Sequence, residues 1–463
     1  MTFLKNQIPA LLAVIAILFL WQIFSWSMGY PAIFPSLPVL FTRIIAIFLT
    51  HEFYIAISLT ILRGLIGFLI SFVLAFTFST IAVFSPFWKS FFHPLVVFTR
   101  SIPVISLVLI ALLWFSPDNL PVFIAFLTMF PILYQNILNG LELTDKKLID
   151  MSKVFGKSSI IRFTSIYLPS AKSVIFGGIS SAMGFGWRAV IIGEVLAQPL
   201  HGIGTNMKQA QSYINISELI AWTAVAIAVS YLFDYMFRKI SHFNLMHHFN
   251  KHFWTTNKKV ISNNEVKIVE IREITKHFNQ NRIFSSYAEV FTSDKVYCIK
   301  GLSGKGKSTL LNLISEIEMP DNGKITHKNI NSFAYSFQDL RLIPWLTVEE
   351  NILYVLNKHK INRDEVFSLI NQLLNKTELT EHVHKLPNEL SGGQKQRVSL
   401  VRAMITKSDL LLLDEPLNGL DAELKLKIIE VLDEWISTYK PLVIWATHEE
   451  IMLEKSEIKN VYI

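Results

Sequence analysis

The chain is 463 residues long, 51% hydrophobic and only 17% charged, with a formal net charge of +7. Soluble domains usually carry about a quarter charged residues, so part of this chain does not face water, and its length excludes a disordered polymer or a disulfide-stapled miniprotein. The excess charge sits in one half: residues 1–240 hold 15 Lys/Arg against 8 Asp/Glu, while residues 241–463 hold 28 of each, which argues for a membrane protein with basic cytoplasmic edges and against a nucleic-acid binder.

In chain order, residues 8–26 carry no charge, and at ~1.5 Å per residue they span most of a bilayer core. Lys5 precedes this run as in a secretory signal, but the apolar stretch is too long for a signal core and no small-residue cleavage site follows. Further spans are expected at 64–86, 94–115, 120–139, 174–199 and 217–237. Residues 1–240 thus read as an all-α polytopic membrane bundle of about six helices. Lys5, Lys89, the group Lys146, Lys147, Lys153, Lys157, Arg162 and Lys172, then Arg238 and Lys239 fall at one set of span ends, and only Arg43 and Lys208 at the other. The bias places both termini in the cytoplasm of a cell membrane.

Residues 241–264 contain His242, His247, His248 and His252 but no acid. With no carboxylate or thiolate nearby, this stretch reads as a basic linker resting against anionic lipid headgroups rather than a metal site. From 265 to 463, short β-rich runs alternate with amphipathic stretches, the pattern of a soluble α/β domain. The single cysteine, Cys298, lies in the apolar run Val296-Tyr297-Cys298-Ile299 and reads as a small buried hydrophobe.

Two motifs in this domain carry chemistry. Gly301-Leu302-Ser303-Gly304-Lys305-Gly306-Lys307-Ser308-Thr309 matches the phosphate-binding loop G-x-x-x-x-G-K-[ST], after an apolar strand and before a helical run. Glycines let successive backbone N–H groups turn toward phosphates, and the helix N-terminus adds its positive end. Lys307 can then reach the β- and γ-phosphates of ATP, and the Ser308 hydroxyl can ligate magnesium. Downstream, Leu410-Leu411-Leu412-Leu413-Asp414-Glu415 reads as a buried parallel strand ending in two acids, at the edge where α/β sheets bind ligands. Asp414 suits the magnesium shell, and Glu415 suits a general base for the attacking water.

Between these motifs, Leu390-Ser391-Gly392-Gly393-Gln394-Lys395-Gln396-Arg397 resembles the signature sequence of ATP-binding-cassette ATPases, and the likeness covers the chain from about 266 onward. The resemblance implies an ATPase of that type, with Gly301, Ser303, Gly304, Lys305, Gly306, Lys307, Ser308 and Thr309 on ATP, and Lys307, Glu415 and His448 as catalytic groups. Gln338 is similar to the family's Q-loop glutamine, a further magnesium ligand beside Ser308 and Asp414. His448 is similar to the switch histidine on the γ-phosphate, and Asp421 to the dimer-contacting D-loop. Phe278 holds the place of the aromatic that stacks on adenine, or is a core residue. In the family two cassettes face each other, and Ser391, Gly392, Gly393 and Gln394 of one contact the ATP held by the other. The implied partner is therefore a second copy of the chain, joined by ATP and released by hydrolysis.

Within residues 140–172, Leu148-Ile149-Asp150-Met151-Ser152-Lys153-Val154-Phe155-Gly156 and Leu168-Pro169 resemble the coupling loop of binding-protein-dependent import permeases, with Asp150, Gly156 and Pro169 at its marked positions. Pro35-Ser36-Leu37-Pro38, Ser58-Leu59-Thr60-Ile61-Leu62-Arg63-Gly64, Arg100-Ser101-Ile102-Pro103, residues 178–194 and Gly202-Ile203-Gly204 look like the permeases for nitrate, sulfonates, taurine and related precursors. In that family the loop docks on the cassette near Gln338. The fifth span is rich in small residues, which permit close helix approach or line a path. Arg188 and Glu194 are ionisable at membrane depth, so they should face the interior or a water-filled path. The combined expectation is a fused permease–ATPase that hydrolyses ATP to import a small solute delivered by a separate binding protein. The alternatives are an ATP-driven exporter, or an ATP-hydrolysing complex that moves an external partner without transporting solute.

Overall fold

A computed structural model describes residues 2–30, 32–241, 265–278, 281–302, 304–356 and 363–463. Ser303, the four linker histidines and almost all of the expected linker lie outside the described residues. The chain divides into two compact units, Met1–Leu143 with Ser170–Asn244, and Thr144–Pro169 with Leu245–Ile463.

The first unit is helical: α1 (Thr2–Met28), α2 (Leu37–Phe48), α3 (His51–Phe84), α4 (Pro86–Ser101), α5 (Val104–Ala111) and α6 (Leu120–Glu142). Helices α7 (Lys146–Val154) and α8 (Ser159–Arg162) follow in the second unit, and the chain returns through α9 (Leu168–Ala197), α10 (Ile203–Ser212) and α11 (Ile216–Ser241). Among the described residues, His51–Phe84, Leu120–Glu142, Ser159–Ala197 and Ile216–Phe233 are long and apolar enough to cross a membrane, and α4 with α5 makes a fifth span if that bent pair counts as one. The expected first span contributes the shorter apolar segment Leu12–Met28, about 25 Å long. The expected third span is broken by a 92° bend, because Pro103 removes a backbone donor and holds Ile102 extended (ψ 130°). The second span begins at His51, where Thr50 caps the helix by accepting from the Phe53 amide.

Close packing explains three of the glycines in α9. A Cβ on Gly178, Gly186 or Gly193 would fall 2.5 Å from Asn136 Cβ, 1.8 Å from Met129 Cε or 2.8 Å from Pro121 Cα, all on α6. Gly177 and Gly184 face open space. Glu194 is fully buried and accepts from Arg63 Nη1 (2.7 Å), Thr60 Oγ1 (2.9 Å) and the Gly204 amide (2.9 Å). A Cβ on Gly202 or Gly204 would lie 2.7 Å from atoms of Glu194, so the backbone reaches the carboxylate only because those residues are glycine. Arg63 also pairs with Asp118 at 2.6 Å, which compensates a charge that would be costly at membrane depth.

The second unit holds β1 (Ile268–Phe278), β2 (Asn281–Thr292), β3 (Val296–Lys300), α12 (Lys307–Ile314), β4 (Asn322–Lys328), β5 (Phe333–Ser336), α13 (Val348–Tyr354), α14 (Arg363–Lys376), α15 (Gly392–Met404), β6 (Leu410–Asp414), α16 (Ala422–Tyr439), β7 (Leu442–Ala446) and β8 (Ile458–Tyr462). Strands β5-β6-β7-β3-β8 form a parallel sheet, and β2-β1-β4 an antiparallel one. The central strands β6 and β7 are near-continuous apolar runs, as burial on both faces requires. Cys298 is buried there, and burial pushes its thiol up to about 11. Leu148, Met151, Val154, Phe155 and Ile166 of the inserted segment belong to the same hydrophobic core.

Candidate functional site

The C-terminal ends of β3, β6 and β7 converge on one site. The loop after β3 turns through Gly304 (φ +81°) and Gly306 (φ +100°), backbone angles that favour glycine. A Cβ on Gly306 would also meet Ile283 Cγ2 at 2.5 Å. Lys305 and Gly304 are exposed, Gly301, Ser308 and Thr309 half-buried, and Lys307 buried. The Lys307 ammonium donates to Gly301 O (2.9 Å) and lies 2.9 Å from His448 Nε2.

His448 Nε2 is also 3.0 Å from Glu415 Oε1. One nitrogen can accept from Lys307 or donate to Glu415, but not both, so the tautomer of His448 decides which of the two it bonds. Glu415 follows β6 in a left-handed conformation (φ +47°). Its amide donates to Ala446 O (2.9 Å) and its carbonyl accepts from Gln396 Nε2 (3.2 Å). Held strain of this kind collects at functional sites. Gln338 Nε2 donates to Glu415 Oε2 at 3.2 Å. Lys307, His448, Glu415 and Gln338 are thereby linked in one chain of contacts.

Asp414 is buried beside the Ser308 hydroxyl, and burial raises its carboxyl to about 6. Ser308, Asp414 and the Gln338 carbonyl supply hard oxygen donors, which fits magnesium, an ion that keeps several waters and takes few protein ligands. No group of three or more His, Cys, Asp or Glu side chains is placed to hold a metal ion among the described residues.

Ser391 caps α15: its hydroxyl accepts from the Gln394 amide (3.3 Å), and Gln394 Oε1 accepts from the Ser391 amide (2.8 Å). Gln394 Nε2 also meets His382 Nε2 at 2.8 Å, so that side chain is turned back along its own helix. Ser391 and Gly392 are exposed, and nothing lies within 4 Å of a Cβ on Gly392. The helix N-terminus is open to an anion there. Asp421 caps α16 through the Leu424 amide (3.0 Å). Phe278 is 44% exposed at the end of β1, with Lys276 Nζ 5.3 Å from its ring. It is therefore not a core residue.

The inserted segment touches the turn that carries Gln338. Lys147 pairs with Asp339 at 3.0 Å, Ser152 Oγ lies 2.7 Å from Tyr354 OH, and Trp345 Nε1 donates to Ser165 O at 3.1 Å. Asp150 pairs within α7 to Lys153, and Gly156 (φ +65°) ends that helix. Pro169 lies in the first turn of α9. The Lys157 ammonium is buried against Leu356 O (2.8 Å), and burial lowers it to about 8. Leu340 and Arg341 follow Gln338 at φ +47° and +46°, a left-handed pair costing ~1–2 kcal/mol per residue. Sequence reasoning missed what holds that pair. Arg402, fully buried on α15, donates to Leu340 O (2.7 Å) and Arg341 O (2.8 Å). The available signal was an arginine inside the apolar run Leu400-Val401-Arg402-Ala403-Met404.

In the first unit, Arg188 is exposed, with its guanidinium 5.8 Å from the Phe185 ring. It borders a cavity of about 660 Å³ between α9 and α11, lined also by Trp187, Met207, Ser230 and Tyr231.

Two family patterns match this chain. Residues 289–418 match that described as "ABC transporter", and residues 67–242 match "Binding-protein-dependent transport system inner membrane component". The chain belongs to the ABC transporter family, with a permease domain and an ATP-binding cassette in one polypeptide. It is 34% identical to the Thermotoga maritima spermidine/putrescine import ATP-binding protein PotA, over 39% of this chain and 52% of that relative. To the Escherichia coli glutamine transport ATP-binding protein GlnQ it is 33% identical, over 42% of this chain and 87% of the relative. The chain thus spans about half the length of PotA and most of GlnQ. A solved bacterial ABC transporter cassette, described as dimeric, aligns over 42% of this chain and 94% of its own, with 25% identity and a TM-score of 0.38.

Proposed function

We propose that this chain is an ATP-driven importer working as a homodimer in the cell membrane, with cassette and termini cytoplasmic, taking a small solute of the anion, sulfonate or vitamin-precursor class from a separate binding protein. The observation that carries the reading is the contact chain Lys307–His448–Glu415–Gln338 at the end of the parallel sheet, in a polypeptide that also holds a binding-protein-dependent permease domain. In this reading residues 265–463 are the cassette, 1–240 the permease, and 241–264 a basic cytoplasmic linker.

In this reading Phe278 stacks on adenine, and the loop amides from Gly301 to Thr309 cradle the phosphates. Lys307 leaves its loop carbonyls for the β- and γ-phosphate oxygens. Ser308, Asp414 and Gln338 would hold magnesium, which when bound would supply positive charge against the developing phosphate charge. Glu415 takes a proton from the water whose oxygen attacks the γ-phosphorus as the bond to the β-phosphate oxygen breaks. His448, freed from Lys307, turns its Nε2–H to the γ-phosphate. The exposed Ser391-Gly392-Gly393 turn and Asp421 of a second copy close the site, so that ATP joins the two cassettes and hydrolysis releases them. The Lys147–Asp339 pair lies where closure is passed to the coupling segment. Arg188, exposed beside its cavity, suits an anion on the path.

The test is reconstitution of the full chain in proteoliposomes, with ATP on the cassette side and binding protein with labelled nitrate, taurine, an alkanesulfonate or a vitamin precursor on the other. Accumulation on the cassette side supports import. Depletion from that side means export, and ATP turnover without solute movement means a signal-transmitting complex.

A further inference from the structure

We propose that Arg402 is a positioning residue that ties the signature helix to the Gln338 turn and to α7, so that movement of the signature end reaches the coupling segment through its guanidinium. The proposal rests on the importer reading above.

The guanidinium has no carboxylate within ion-pair distance among the described residues, although it is fully buried. Burial lowers it to about 9. A buried cation without a counter-charge is worse for stability than an apolar side chain of similar volume, so core filling alone does not account for an arginine here. Its hydrogen bonds go to the carbonyls of Leu340 and Arg341, the two residues held at positive φ. Its third contact is the ring of Phe155 at 5.7 Å, at the C-terminal end of α7. The same turn grips the other end of α7 through Asp339 and Lys147.

Helix α15 carries Ser391 at its N-cap and Arg402 in its last turn. Over its length of about 20 Å an α-helix moves as a rod, so displacement at the exposed signature must displace Arg402. The rigid guanidinium fork can hold both carbonyls at once, whereas a lysine ammonium keeps charge without that planar pairing. Docking of the segment does not depend on Arg402, because Tyr354 and Trp345 hold Ser152 and Ser165 independently.

The experiment uses the full chain in nanodiscs with Lys146→Cys, an exposed position on α7, labelled by an environment-sensitive fluorophore; Cys298 is buried and stays unlabelled. ATP-induced fluorescence change and the KM and kcat for ATP are measured in this background and with Arg402→Met or Arg402→Lys. Arg402→Met should keep KM within about 3-fold while the ATP-induced change falls at least about 5-fold, and Arg402→Lys should restore part of it. An unchanged response in Arg402→Met overturns the proposal, as does parallel loss of KM and response in both variants. If Arg402→Met does not fold, Phe155→Leu decides: a reduced response at unchanged KM supports the link, and an unchanged one overturns it. A parent chain that hydrolyses no ATP and gives no response sinks the importer reading itself, which separates the two failures.

Discussion

Glycine-to-alanine substitution at two places on α9 gives a direct test of how the permease unit is packed. At Gly193 a Cβ would sit 2.8 Å from Pro121 Cα and 3.2 Å from Pro121 Cβ, whereas carbon atoms in contact prefer about 3.5–4.0 Å. The obstructing atoms are backbone and ring at the first turn of α6, so no side-chain rotation relieves them. The helices must part by several tenths of an ångström, and such overpacking costs about 1–3 kcal/mol. At Gly177, on the same helix, nothing lies within 4 Å, so alanine gains about 0.5–1 kcal/mol of helix propensity. The two variants should differ by roughly 1.5–4 kcal/mol, which for a unit of this size separates their melting temperatures by at least about 3 °C. The assay is thermal unfolding of each full-length variant in the same detergent, followed by tryptophan fluorescence. Gly193→Ala melting at or above Gly177→Ala would refute the packing argument.

Glu415→Gln should leave ATP binding within a few-fold, read as nucleotide protection against thermal unfolding, while phosphate release falls roughly 10²–10⁴-fold; normal turnover would remove Glu415 from its role. Ser391→Ala deletes one half of the capping box on α15 and should cost about 1 kcal/mol of stability in addition to slowing ATP turnover. An unchanged melting temperature would show that the box contributes nothing. Burial holds the Lys157 ammonium near 8 against an ordinary 10.5, so between those values the unfolded chain binds a proton that the folded chain has released. Stability should therefore rise with pH across that window, by at most roughly 3 kcal/mol. Unfolding midpoints of wild type and Lys157→Met compared from pH 7.5 to 10.5 should show the rise only in wild type, and equal slopes would refute the assignment.

The nucleotide site was legible in the sequence because its residue types are forced locally. Only glycine takes the backbone angle at Gly306, and only an apolar strand can place Asp414 inside the sheet edge. The membrane half was less legible. A break at Ile102-Pro103 sits between two apolar runs, just after Thr99-Arg100-Ser101, and one polar interruption does not by itself distinguish a single span from the two helices the backbone makes. Helix α10 hides in a polar segment between apolar ones, and α3 begins before the run becomes uniformly apolar. The partner of Glu194 could not be read at all: Arg63 is far away in sequence, and α-helical spacing within one span offers no hint of it. Gln394, read as a contact to a second copy, carries a capping bond to its own helix that a motif match does not display.

Because Thr144–Pro169 belongs to the second unit while its flanks belong to the first, the polypeptide passes between units three times. A cut within 245–264 would sever only one of those crossings. Expressed as two separate polypeptides, the halves would carry complementary pieces of a single hydrophobic core, with Leu148, Met151, Val154, Phe155 and Ile166 on the permease fragment. They would recognise each other by the chemistry that closes any protein interior. The covalent fusion therefore sets a one-to-one dosage of permease and cassette, and mutual recognition is written into the insert.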